Sequence, residues 1–187
     1  MYDQEQVMTV QWNEPGSKEK RSTEEVFKHI GSFMRDPNHK GYDYVVAVGT
    51  DSQMIGHAFQ FISVISVHRV GKGGLYFYTK EFVPRAKFPV GVQKMRMFDE
   101  VTRSCMIGLA MQEAISVSPE VHIDASPSHK REEFTAKFSD QLKGYVQSMG
   151  FECMLKPESY VAHAIADKHT KKKSRKRRRQ ERKQKRR

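Results

Sequence analysis

The chain has 187 residues, 37% of them hydrophobic, and a formal net charge of +11. That length carries one domain with a real core, and no run of about 18 apolar residues is present to form a membrane-spanning helix. The opening residues, MYDQEQVMTVQWNEPGSKEKR, lack the charged-then-apolar design of a secretory signal. The two cysteines, Cys105 and Cys153, lie in apolar segments and read as reduced core residues of a cytoplasmic protein. No Cys/His group has zinc spacing.

The charge is unevenly placed. Of 33 Lys/Arg and 22 Asp/Glu, fourteen bases and one acid lie between Lys168 and Arg187, leaving 19 bases and 21 acids in residues 1–167. The body is thus near neutral. A tail over residues 170–187 carries the basicity, has no apolar residue to pack, and is expected to be disordered. Such a block binds polyanions through phosphate contacts and counterion release. Nucleic acid is the expected partner and a membrane is not, because nothing apolar accompanies the charge. Lys171, Lys172, Lys173, Arg175, Lys176, Arg177, Arg178 and Arg179 are its candidate contacts. A solubilising or nuclear-import role fits the same composition.

Along the chain, residues 1–21 read as irregular. Ser22 or Thr23 then caps a helix in which Val26, Ile30 and Phe33 fall at helical spacing. Tyr44–Thr50 reads as a strand apolar on both faces, hence central. His57–Val70 and Leu75–Val83 are two more strands, joined by the turn sequence GKGG. A long helix covers Val92–Ser116. EVHID is a short strand, and a helix over residues 126–149 ends at Gly150. FECML is the fifth strand. Pro157 opens a last helix that runs to about Lys168. The first three strands suit a meander, and the last two, reached through helices, suit parallel pairing. The expected domain is residues 22–169.

VVAVGTDSQ raises the functional question. Gly, Asp and Ser after a strand are ordinary turn chemistry, but other carboxylates arrive at the same place. Asp124 ends VHID. If its strand pairs in parallel with the first, Asp51 and Asp124 emerge together at the carboxyl edge of the sheet, where open α/β sheets bind ligands. Glu100 lies at the margin of the long helix's apolar stripe, while Asp99 is expected to face water. Carboxylates that converge repel one another unless a cation neutralises them. Hard oxygen ligands suit magnesium or manganese. Taken singly, Glu100 fits a solvated helix position and Asp124 a capping acid.

VGTDSQ, VHIDAS and KPESYVAHAIADKHT together resemble the YkuK family of ribonuclease H-like proteins, over about Tyr44–His169. The resemblance implies an α/β ribonuclease H-like fold. Its five-stranded mixed sheet, a three-strand antiparallel meander plus two parallel strands, is flanked by helices. It also implies a nuclease using two divalent ions to clamp the attacking water and the leaving oxygen. Asp51, Glu100 and Asp124 would hold the metal, with His163 or Asp167 on the last helix as the fourth catalytic residue. Lys156 would touch a phosphate, and Ser52 and Gln53 are candidate ligand contacts. The substrate would be RNA, an RNA–DNA hybrid or structured DNA, and paired cuts would require a dimer.

Two other readings compete. A catalytically inactive nucleic-acid binder would use the fold as scaffold and the tail for binding. Nucleotide-binding ATPases of the same fold use a phosphate-holding turn after their first strand. Here no second Gly-rich phosphate loop is present, and the chain is about half the length of two such lobes.

Overall fold

The computed structural model describes residues 2–88, 92–127, 134–166 and 169. In chain order they form α1 (Gln4–Thr9), β1 (Trp12–Asn13), β2 (Lys20–Arg21), α2 (Thr23–Met34), β3 (Tyr44–Ile55), β4 (Ala58–Arg69), β5 (Gly73–Pro84), α3 (Val92–Ile115), β6 (Glu120–His122), α4 (Ser139–Ser148), β7 (Cys153–Met154) and a π-helix, Val161–Ala166. The strands make one mixed sheet in the order β2-β1-β5-β4-β3-β6-β7. β3, β4 and β5 are the expected antiparallel meander. β6 joins β3, and β7 joins β6, both in parallel.

The sheet has seven strands rather than the five expected, and the N-terminal segment is not irregular. Asp3 and Gln6 close a capping box on α1. β1 then pairs with β2 and with the edge of β5. Trp12 is fully buried, and its Nε1 donates to Thr23 Oγ1 at 3.0 Å, while that hydroxyl donates to the Val7 carbonyl at 2.6 Å. Ser22 is the cap of α2, reciprocated by Glu25. Of the helix expected over residues 126–149, the described part is a 3-10 turn at Phe134–Lys137 and α4.

Both faces of the meander are covered, as its doubly apolar strands require. Val46, Val48, Ile65, Val67 and Phe77 pack with α2 and with Ile107 and Met111 of α3. Val121 and Ile123 pack with Val101 and Cys105 of α3 and with α4. On the opposite face, Ala47, Ile62 and Val64 meet Val161 and Ala166 of the π-helix. That helix lies directly on β3. A Cβ at Gly49 would come 2.8 Å from the Ala162 backbone nitrogen and 3.1 Å from its Cα. Only glycine permits this approach, so the Gly of VGTD serves packing rather than a turn.

Gly49→Ala should therefore force the π-helix off β3. Urea unfolding should show a loss of about 1–3 kcal/mol, the usual cost of overpacking. An unchanged midpoint would mean that the helix is not seated by this contact.

Candidate metal and nucleic-acid site

The sheet register brings two of the predicted acids together. Gly49 pairs with His122 across the parallel β3–β6 ladder. Two residues further along both chains come Asp51 and Asp124. The chain after β6 stays extended beside β7: Ile123 N–H donates to the Met154 carbonyl at 2.9 Å, and Lys156 N–H to the Ala125 carbonyl at 3.1 Å. Asp51 itself does not end its strand, as the sequence suggests. β3 continues to Ile55 and turns back at Gly56 into β4.

Glu100 comes from α3, on the strip between that helix's two apolar contacts. It is 8% exposed. Ser52 Oγ donates to its Oε1 at 2.6 Å, and Arg96 Nη1 lies 3.2 Å from the same oxygen. Arg96 Nη1 also donates to Ser52 Oγ at 2.9 Å and to the Ser52 carbonyl. Beneath them is a buried hydroxyl cluster. Ser104 Oγ lies 3.0 Å from the Glu100 carbonyl oxygen and from Thr50 Oγ1, which is 3.0 Å from Ser63 Oγ. Strand alternation puts Thr50 and Ser52 on the α3 face and Gly49 and Asp51 on the π-helix face. Ser52, read from sequence as a ligand contact, is instead the partner that orients Glu100.

Burial pushes the Glu100 carboxyl up to about 8. The charges of Asp51 and Asp124 act in the same direction, against Arg96 and the Ser52 hydrogen bond. Glu100 thus feels the charges of two acids from distant segments. Among the described residues, however, no group of three His, Cys, Asp or Glu side chains is close enough to hold a metal ion. Basic groups offset the acids here: Arg96 faces Glu100, and Lys156 Nζ stands 2.7 Å from Asp124 Oδ1. That oxygen is buried with no hydrogen-bond partner, so the ammonium is close but poorly aligned. A buried carboxylate oxygen paired only with a poorly aligned ammonium suits a hard divalent cation chemically. Lys156, read from sequence as a phosphate contact, pairs here with Asp124.

The remaining predicted residues are less informative. The backbone of His163 lies within the π-helix. Asp167 and Lys171, Lys172, Lys173, Arg175, Lys176, Arg177, Arg178 and Arg179 lie outside the described residues. Asp99 does not simply face water: it accepts from Arg103 Nε at 3.0 Å. Sequence reasoning passed over Arg96, although its position one turn before Glu100 was a legible ion-pair signal. It also passed over His122 as an anchor. The Val161 N–H donates to His122 Nδ1 at 3.3 Å, so the ring's other nitrogen carries the proton toward Glu120, 3.1 Å away. Burial holds this imidazole below its usual range, with Glu120 opposing.

The model of the Ribonuclease H-like family matches residues 25–171. The chain belongs to that family. It is 26% identical over 172 residues to the uncharacterized protein YkuK of Bacillus subtilis (strain 168), an alignment covering 83% of this chain and 94% of that one. No solved structure matches it. Family membership accounts for the meander, the parallel strands and the nuclease-type fold.

The raised Glu100 carboxyl has a pH consequence. Between pH 4.5, its ordinary value, and about 8, the folded protein keeps a proton that the unfolded chain has released. Its contribution to stability therefore falls as pH rises through that window. Glu100→Gln removes the dependence. In chelator, the variant's melting temperature relative to wild type should climb from pH 4.5 to 8 and then level off. A constant difference would mean that Glu100 titrates normally.

Proposed function

We propose that the protein is a divalent-metal-dependent nuclease acting on RNA, an RNA–DNA hybrid or structured DNA. The observation that carries this reading is that Asp51 and Asp124, both two residues beyond the β3–β6 ladder, lie near enough to Glu100 to raise its affinity for a proton. These three would hold magnesium or manganese, with His163 or Asp167 as the fourth group. Bound there, the metal would supply Lewis-acid activation of water and of the phosphate. Ser52 and Arg96 fix the rotamer of Glu100 and disperse its charge. Lys156 offsets Asp124 until a stronger cation or a phosphate draws it away. Gly49 and His122 seat the last helix beside Asp51. The basic tail raises the local concentration of nucleic acid without choosing the scissile bond.

A second reading is favoured by the two ion pairs at Glu100 and Asp124. They neutralise the acids without metal, as a binding scaffold with no catalysis would.

The test is incubation of full-length protein with labelled RNA, hybrid, single-stranded DNA and a four-way junction, with and without magnesium or manganese. Metal-dependent cleavage should fall to background in Asp51→Asn. It should drop roughly 10–100-fold in Ser52→Ala, the usual effect of removing a partner that orients a metal ligand. Salt-sensitive binding by an equally inert wild type and Asp51→Asn would replace the nuclease reading with the scaffold.

A further inference from the structure

The charge of the folded body is also unevenly placed. Residues 82–98, FVPRAKFPVGVQKMRMF, hold four bases and no acid, while the rest of residues 1–167 hold 15 bases and 21 acids. This stretch leads from β5 into α3 and flanks the acid site. Ile55 pairs with Ala58, and Ala58 with Pro84. The Arg85 N–H donates to the His57 carbonyl at 3.0 Å, which fixes the 3-10 turn Arg85–Lys87 beside the tip of the β3–β4 hairpin. That tip lies four residues beyond Asp51 on β3. At the other end of the stretch, Lys94 lies six residues before Glu100, about 9 Å along the helix axis. Arg96 stands between them and reaches Ser52 and Glu100.

Three of these bases are left over from the local ion pairs. The acids that border the stretch, Glu81 and Asp99, are both held by Arg103, and Glu100 pairs with Arg96. Arg85, Lys87 and Lys94 are exposed, and none forms an ion pair among the described residues. Lys94 Nζ stands 5.1 Å from the centre of the Phe138 ring and 5.8 Å from that of Phe98. Such ring contacts hold an ammonium without neutralising it. The turn is held in place as well. Phe88, just after it, is buried, stacked on Phe61 at 6.2 Å and edge-on to Phe59 at 5.4 Å. Charges of one sign held together on a fixed scaffold repel one another, and a polyanion relieves that cost.

We infer that Arg85, Lys87 and Lys94 form a phosphate-binding ridge for a nucleic-acid backbone, set on the folded body beside the acids rather than in the tail. Arg96, at its inner end, stays with Glu100. Position is what the ridge adds: a phosphate on Lys94 lies within about two helical turns of Glu100. The inference rests on the nuclease reading for its choice of polyanion, and deepens it by naming the surface that lines the strand up with the acids.

The experiment is fluorescence anisotropy on the full chain in chelator, over a series of salt concentrations, with a labelled RNA strand of about 20 nucleotides. Arg85→Gln, Lys87→Gln and Lys94→Gln combined should lower the slope of log affinity against log salt by about 2, three phosphate contacts at about 0.7 each on a single strand. The charge-keeping triple, Arg85→Lys with Lys87→Arg and Lys94→Arg, should hold the wild-type slope. So should Lys18→Gln, Lys20→Gln and Lys28→Gln combined, an equal loss of charge at exposed positions; Lys20 lies on β2, the edge strand four places from β3. The ridge triple should melt with wild type, its side chains being exposed and unpaired, so a lowered slope is not a folding defect. An unchanged slope in the ridge triple, or an equal fall in both Gln triples, overturns the ridge. Because binding is read without metal, the two proposals fail separately. Cleavage by wild type with an unchanged slope in the ridge triple removes only the ridge. A lowered slope in that triple alone, without any cleavage by wild type in magnesium or manganese, removes only the nuclease and supports the ridge.

Discussion

The parallel pairing of β3 with β6 covers only Ala47–Gly49 and Glu120–His122, and the site depends on it. Both strands run past this ladder and deliver an aspartate at the same distance beyond it. Neither acid reaches the place alone. The pairing is held from both sides of the sheet. Val48 and Val121 bury themselves under α3, while His122 and Gly49 accept the π-helix on the other face. Once α3 is packed there, Glu100 is almost wholly buried. Burial, with the charges of Asp51 and Asp124 acting in the same direction, raises its affinity for a proton.

The polar groups around the site divide by face. On the α3 side, Ser52 and Arg96 hold the Glu100 carboxylate, and Ser104 links the Glu100 carbonyl to the hydroxyls of Thr50 and Ser63. On the π-helix side, Asp51 lies across from Ile62 of β4, which packs with Val161 and Ala166 of the π-helix. A buried hydrogen-bonded network fixes a geometry, because every alternative rotamer leaves a group unsatisfied. The site thus has one half built from α3 and β3 and another built where the π-helix packs on β3 and β4.

The N-terminal segment shows where sequence reasoning reached its limit. Tyr2, Val7 and Trp12 are all buried, but their spacing follows neither a helical nor a strand period. β1 and β2 have two residues each, too few for alternation to register. What ties the segment down is long-range. The Arg103 guanidinium sits 4.3 Å from the ring centres of both Tyr2 and Phe61 and pairs with Glu81 and Asp99. The Tyr2 hydroxyl donates to Glu81 at 3.3 Å. A buried arginine held between two rings and two acids is invisible until three distant segments meet. The Asp3–Gln6 capping box was legible, being local, and marks the one part of the segment that sequence could have resolved.

By itself the sequence determined the meander, the long helix, the cap at Ser22 and the candidate acids at positions 51, 100 and 124. All of these rest on short-range periodicity or on motifs a few residues long. Family membership followed from the same motifs read together. Only the tertiary structure decided that Asp51 lies inside β3 rather than at its end, and that Ser52 serves Glu100. It also decided that Lys156 stands on Asp124 and that the sheet gains two edge strands. Each of these depends on which residues face one another across strands far apart in the chain. Register between distant segments is set by the packing of whole faces, and no local pattern in one segment encodes it.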